Sequence, residues 1–128
     1  MKNFHYTKTS SKKPEEALKI IQEQIVKAGF TVLQTLDVRA ILKTKEMDIP
    51  SAYIIEYCDP KLAHQLLSDD PLILHFLPCK VLVFTEADQT VVSASMPLLM
   101  QHFMPRVDFS EIGPLLETAL AKIVDSVL

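Results

Sequence analysis

The chain has 128 residues, a formal net charge of −3 and 48% hydrophobic residues. This length fits one domain over residues 1–128 and suffices to bury a stable core without disulfides or metal staples. The acidic balance argues against a nucleic-acid interface, which requires a basic surface. No apolar run approaches the roughly 20 residues of a membrane span, and the first residues lack the apolar stretch of a secretory signal. We therefore expect a cytoplasmic protein with reduced cysteines.

Alternating, aromatic and β-branched residues predict five strands, over residues 4–9, 30–36, 52–57, 80–85 and 90–95. Helical spacing of apolar residues predicts helices over residues 14–28, 38–45, 59–68, 97–104 and 110–128. Residues 72–77 are interpreted as a tight helical turn or an irregular core segment, and residues 86–89 as a hairpin turn. The order β-α-β-α-β-α-β-β-α predicts a two-layer α+β domain, with a mixed or antiparallel sheet and helices on one face.

Particular residues mark the ends of these helices. Gly29 is suited to the position just past the end of the first helix. Asp37 is a capping residue for the second helix, and Asp59 followed by Pro60 is a strong start for the third. Ser110 is predicted to cap the last helix.

Each of the two cysteines lies beside a proline at a predicted corner between elements. The two corner sequences are Tyr57-Cys58-Asp59-Pro60 and Leu77-Pro78-Cys79. A thiol at a corner can face a cleft instead of the core. The N-terminus of the third helix would stabilise a thiolate at Cys58, but Asp59 opposes this because it takes the same amide donors and adds a negative charge. The alternative for both residues is core packing, since free cysteines are commonly buried.

The sequence supports no complete metal site. Structural zinc ligands usually come in pairs two to four residues apart, and neither cysteine has such a partner. His75, four residues before Cys79, is the one histidine near either thiol, and His64 lies too far along its helix to act as a base for Cys58. The thioethers of Met96, Met100 and Met104 would suit copper(I), but at this spacing we interpret them as core or interface residues. We predict no metal and name no cofactor.

The chain resembles the bacterial and archaeal family called domain of unknown function 302. The resemblance covers most of the chain and rests on both cysteine corners, together with the segments 28–33 and 36–43. It implies a compact α+β domain that forms a homodimer. It implies no established activity, because the family is named for lacking one.

These observations lead to three hypotheses. The first is a small binding module with a ligand site at the two corners, formed by Cys58, Cys79, Asp59, Tyr57 and His75, with Tyr53 as a further lining residue. Its ligand would be a small apolar or thiol-reactive molecule or a soft metal. The second is a thiol-dependent redox or transfer enzyme with Cys58 as the nucleophile. The third is a structural dimerisation domain without chemistry. We expect a homodimer with a small-molecule ligand, and neither nucleic acid nor membrane as a partner.

Overall fold

The computed structural model describes residues 4–128 apart from the side chain of Leu98. Residues 1–3, which belong to the N-terminal segment that was compared with a secretory signal, lie outside the described residues. The strands are β1 His5–Ser10, β2 Thr31–Asp37, β3 Ala52–Cys58, β4 Cys79–Glu86 and β5 Gln89–Ser95. The helices are α1 Pro14–Lys27, α2 Val38–Lys43, α3 Pro60–Asp69, α4 Leu98–Phe103 and α5 Ile112–Asp125, with a 3₁₀ turn at Pro71–His75. The α+β class and the predicted element order are confirmed.

The five strands form a single sheet in the order β1-β5-β4-β3-β2, in which every neighbouring pair is antiparallel. A bulge interrupts the pairing of β2 with β3 between Val32 and Gln34. Because side chains alternate across a strand, the register assigns each residue to one of the two faces of the sheet. We call the face that contacts α1 and α5 the helix face, and the opposite face the open face.

The main core lies between the helix face and the apolar stripes of α1 and α5. On the sheet side it contains alternate residues of the central strands, namely Ile55, Tyr57, Val81, Val83, Val92 and Ala94. On the helix side it contains Ala17, Ile21, Ile25, Leu116, Leu120, Ile123, Val124 and Val127. The apolar stripe of α5 thus packs mainly on the sheet. Its flank remains exposed, since Leu115 is 74% accessible.

A second, smaller core lies among α3, the 3₁₀ turn, α4 and the segment before α5. It contains Leu66, Ile73, Met100, Met104, Val107 and Phe109. Leu62 of α3 packs against both cores and joins them. The prolines at positions 60 and 71 begin α3 and the 3₁₀ turn, so the chain turns sharply around this second core before it returns to β4.

Three of the four predicted helix-end residues are confirmed. Asp37 accepts a hydrogen bond from the backbone N–H of Ala40 at 2.9 Å, Asp59 caps α3, and Gly29 has a positive φ of 92° just after α1. The prediction for Ser110 is wrong because α5 begins two residues later, at Ile112. The backbone N–H of Ser110 instead donates to the carboxylate of Asp108 at 2.9 Å, which places Ser110 within the preceding turn.

Candidate functional site

The first cysteine corner is built by a capped helix start. Cys58 is the last residue of β3, and the Asp59 carboxylate accepts hydrogen bonds from the backbone N–H groups of Lys61 at 3.1 Å and Leu62 at 3.4 Å. The amides that would stabilise a thiolate at Cys58 are therefore already bonded to a carboxylate, as the sequence predicted.

The second cysteine opens strand β4 on the helix face. Cys79 pairs directly with Tyr57 of β3, and both side chains point towards the main core. The pKa of the Cys79 thiol is raised to about 11, first by burial and then by the nearby Cys58, while Lys80 acts in the opposite direction. At neutral pH Cys79 is therefore a protonated thiol.

The two thiols do not meet on one face. Cys58 follows Tyr57, the partner of Cys79, by one residue, so the backbones of the two corners are neighbours. Because successive side chains of a strand point to opposite faces, Cys58 points to the open face and Cys79 to the helix face. Both residues are partly buried free cysteines. The structure thus separates two residues that the sequence analysis placed in one site.

A cavity of about 180 Å³ lies beside Cys79, at the end of the helix face where the two cores meet. It is lined by His75, Phe76, Pro78, Cys79, Lys80, Ser95, Met96, Pro97, Leu99, Met100, Leu116 and Leu120. Of the predicted site residues, His75 and Cys79 line this cavity. Cys58, Asp59, Tyr57 and Tyr53 are not among its lining residues. We call it the Cys79 cavity.

Met96 is the functional candidate that the sequence analysis did not connect with Cys79. The pairing of β4 with β5 ends at Val81 and Ala94, and Cys79 and Met96 each lie two residues beyond that pair, where both line the cavity. The backbone N–H of Met96 also donates to the carbonyl of Phe4 at 2.7 Å, which continues the ladder with the chain before β1. Both sulfur-bearing side chains are partly buried, pack against the main core and line the same cavity.

The two tyrosines that precede Cys58 occupy different surroundings. Tyr57 is 1% exposed, and its hydroxyl has no hydrogen-bond partner among residues 4–128. Its pKa is raised, first by burial and then by Cys79. Tyr53 lies four residues earlier and lines a different, shallower hollow near Asp37 and Arg39. Burial, then the charges of Asp37 and Glu15, raise the pKa of Tyr53.

The open face carries a polar group at the Cys58 end and apolar side chains at its centre. The carboxylate of Glu56, 8% exposed, accepts a hydrogen bond from Gln34 at 2.5 Å and lies 3.8 Å from the Lys80 ammonium. Leu82 and Phe84 follow on β4, beside a hollow of about 310 Å³. Neither of the two cores of the described residues includes a side chain from this face of the sheet.

Within residues 4–128, no three His, Cys, Asp or Glu side chains are grouped so that they could hold a metal ion. The helices of the same part of the chain are all too short or too polar to cross a membrane.

The comparisons with known proteins agree on one family. The family model described as "Domain of unknown function DUF302" matches residues 6–127. A crystal structure of an uncharacterized conserved DUF302 protein from Bacillus stearothermophilus is similar to this chain, with 30% sequence identity and a TM-score of 0.88. The match covers 99% of this chain and 100% of that one. None of the curated proteins matches. The chain therefore belongs to the DUF302 family, whose activity is unknown.

Proposed function

We propose that this protein is a small-ligand-binding module and that its binding site is the Cys79 cavity. The main support is that one mainly apolar cavity next to the core is lined by a thiol, an imidazole and two thioethers, those of Cys79, His75, Met96 and Met100. Pockets with apolar walls and a few convergent polar groups are typical binding sites. The two reduced cysteines suit a cytoplasmic location, which we include in the proposal.

The size of the cavity limits the ligand. Its volume of about 180 Å³ is close to the roughly 150 Å³ that holds benzene in a buried apolar cavity. Pockets for drug-sized molecules measure roughly 300–1,000 Å³. We therefore propose a ligand of a few heavy atoms, because a nucleotide or a larger cofactor is too big for this cavity.

Binding is favoured over nucleophilic catalysis by the state of the thiol. The thiolate is the reactive form of cysteine, and the pKa of about 11 leaves Cys79 protonated at neutral pH. Cys58, the nucleophile of the enzyme hypothesis, points to the other face of the sheet, so Cys79 is not placed to act as its resolving thiol.

The test uses benzene as a probe of the cavity, followed residue by residue in NMR spectra of the isotope-labelled protein. We expect saturable shifts at the amides of Phe76, Cys79, Met96 and Leu120. Leu116→Phe places a ring at the cavity wall and should abolish them, whereas Leu115→Phe, on the exposed side of the same helix, should preserve them. Shifts confined to Leu82 and Phe84 on the open face, or shifts that survive Leu116→Phe, would contradict the proposal.

We also propose that the protein is a homodimer that pairs through the open face. The specific observation is the pattern on β4, where Lys80, Leu82, Phe84 and Glu86 alternate onto this face as cation, apolar, apolar and anion. A twofold axis between Leu82 and Phe84 would set Lys80 opposite Glu86 of the partner subunit, twice, and would cover the apolar centre. Such a self-complementary surface is what a twofold interface requires.

Sedimentation analysis tests this pairing. Leu82→Glu should convert the wild-type dimer to a monomer, and Glu86→Lys should weaken it most at low salt, where charges are least screened. Leu115→Glu, at a site 74% exposed on α5, is the matched control and should leave the dimer unchanged. A wild-type monomer, or a dimer that survives Leu82→Glu, would contradict the proposal.

A further inference from the structure

We propose that the Cys79 cavity is a copper(I) site, in which the sulfurs of Cys79, Met96 and Met100 are ligands and the imidazole of His75 is the fourth. This inference rests on the proposed binding function and names its ligand class. The spacing that groups Met96 and Met100 with Met104 does not bring them to Cys79 and His75, which requires the tertiary structure.

The structure divides that methionine row between two environments. Met96 follows β5 and lines the cavity together with Cys79, and Met100, four residues further along the chain, reaches the same cavity from α4. Met100 and Met104 both belong to the second core, but Met104 is not among the lining residues of the cavity. His102 is exposed and contacts Phe103 edge-on, at 4.9 Å between ring centroids. The donors in the cavity are therefore two methionines, one cysteine and His75.

This donor set selects a soft metal ion. Thiolate and thioether sulfur favour copper(I), whereas calcium, magnesium and manganese require oxygen ligands. The described lining of the cavity contains no Asp or Glu. Zinc sites use thiolate, imidazole and carboxylate ligands, and this cavity offers only one thiolate and one imidazole of that kind.

The charge balance also favours a monovalent ion. Copper(I) bound to one thiolate and to neutral thioether and imidazole groups gives a site without net charge, which is the least costly state beside an apolar core. A divalent ion with the same ligands would leave one uncompensated positive charge. On binding, the Cys79 S–H bond is replaced by a copper–sulfur bond, and the proton leaves to solvent; no electron is transferred.

The test is a titration of the full chain with tetrakis(acetonitrile)copper(I) under anaerobic conditions, in competition with a colorimetric copper(I) chelator. We expect one copper per chain. Cys79→Ser should weaken binding by at least 100-fold, and Met96→Leu and Met100→Leu by about tenfold each. The matched controls are Cys58→Ser, the other thiol, and Met104→Leu, the other methionine of the row, and both should bind copper as the wild type does. Circular dichroism of each variant verifies that it is folded.

Copper K-edge absorption of the loaded protein gives a readout independent of affinity, and it should show predominantly sulfur ligands. The inference is overturned if Cys58→Ser lowers the affinity as much as Cys79→Ser, if Met96→Leu has no effect in a folded protein, or if sulfur scattering is missing. Benzene binding separates this from the proposed function. Benzene shifts without copper binding would overturn copper alone, and loss of both would overturn the binding site itself.

Discussion

Cys58 follows Tyr57, the cross-strand partner of Cys79, by one residue, and the two thiols therefore leave the sheet on opposite faces. A disulfide requires Cβ atoms roughly 3.5–4.5 Å apart that point towards each other, which this arrangement does not provide. The two corners are adjacent in the fold and belong to different surfaces. The two cysteines should therefore not act as a dithiol pair, although Cys58 contributes to the raised pKa of Cys79.

The first prediction follows from this separation. Treatment of the folded protein with a mild oxidant should give no disulfide between Cys58 and Cys79 within one chain. Peptide mass spectrometry under non-reducing conditions measures the linkage directly. A substantial yield of the Cys58–Cys79 peptide from a monomeric fraction would show that the two thiols can meet.

A second prediction concerns the buried hydroxyl of Tyr57. An unpartnered polar group in a core costs about 1–3 kcal/mol, so removing it without changing the ring should stabilise the fold. We expect Tyr57→Phe to raise the free energy of unfolding by about 1 kcal/mol in urea denaturation. Tyr53→Phe, in a partly exposed position, serves as the control and should have little effect. A loss of stability in Tyr57→Phe would show that the hydroxyl has a binding role or a partner.

The raised pKa values of Cys79 and Tyr57 predict a loss of stability at alkaline pH in the metal-free protein. For Cys79 the folded value is about 11 and the ordinary value is 9.0, so the unfolded chain ionises first as the pH rises. Its contribution is complete below pH 9 and lost progressively towards pH 11, which amounts to roughly 2–3 kcal/mol. The raised pKa of Tyr57 also lowers the stability of the fold as the pH rises, and its effect begins above the ordinary tyrosine pKa of 10.0.

Urea denaturation at a series of pH values measures this effect. The slope of unfolding free energy against pH between 9 and 11 should be shallower in Cys79→Ala than in the wild type, whatever the difference in stability at neutral pH. Cys58→Ala provides the comparison for the second thiol. Equal slopes in the wild type and Cys79→Ala would contradict a protonated, buried Cys79.

The cap of α3 gives a fourth prediction. Asp59→Ala removes the acceptor of two backbone N–H groups and should cost about 1 kcal/mol of stability, whereas Asp59→Asn, which keeps an acceptor oxygen, should cost much less. Thermal unfolding followed by circular dichroism compares the two. Equal losses would mean that the charge of Asp59, and not its capping bonds, is what stabilises this corner.

Local chemistry made much of the fold predictable. Asp59 and Pro60 define a helix start by themselves, and Gly29 ends α1 through its positive φ. The hairpin was harder, because Ala87 and Asp88 occupy the loop with φ values of 50° and 60°, a conformation in which glycine or asparagine is expected. Ser110 failed as a cap because Asp108 forms the turn before α5.

The candidate site could not be predicted from the sequence of any single strand, because it depends on how the strands pair and how α4 packs. Which face a cysteine occupies is set by the register of β3 against β4, and a shift of one residue would exchange the faces. The proximity of Cys79 to Met96 depends on the pairing of β4 with β5, and that of Met100 on the packing of α4. His75 and Cys79 could be paired from their spacing of four residues, whereas the methionine partners required the tertiary structure.

The central claim is that the Cys79 cavity is the binding site, and competition between benzene and a small alkylating reagent tests it most directly. Cys58 serves as an internal control within the same molecule. The account predicts that benzene slows the alkylation of Cys79 in a saturable manner and leaves the rate at Cys58 unchanged, as measured by peptide mass spectrometry. Equal rates at Cys79 with and without saturating benzene, or equal slowing at both cysteines, would contradict it.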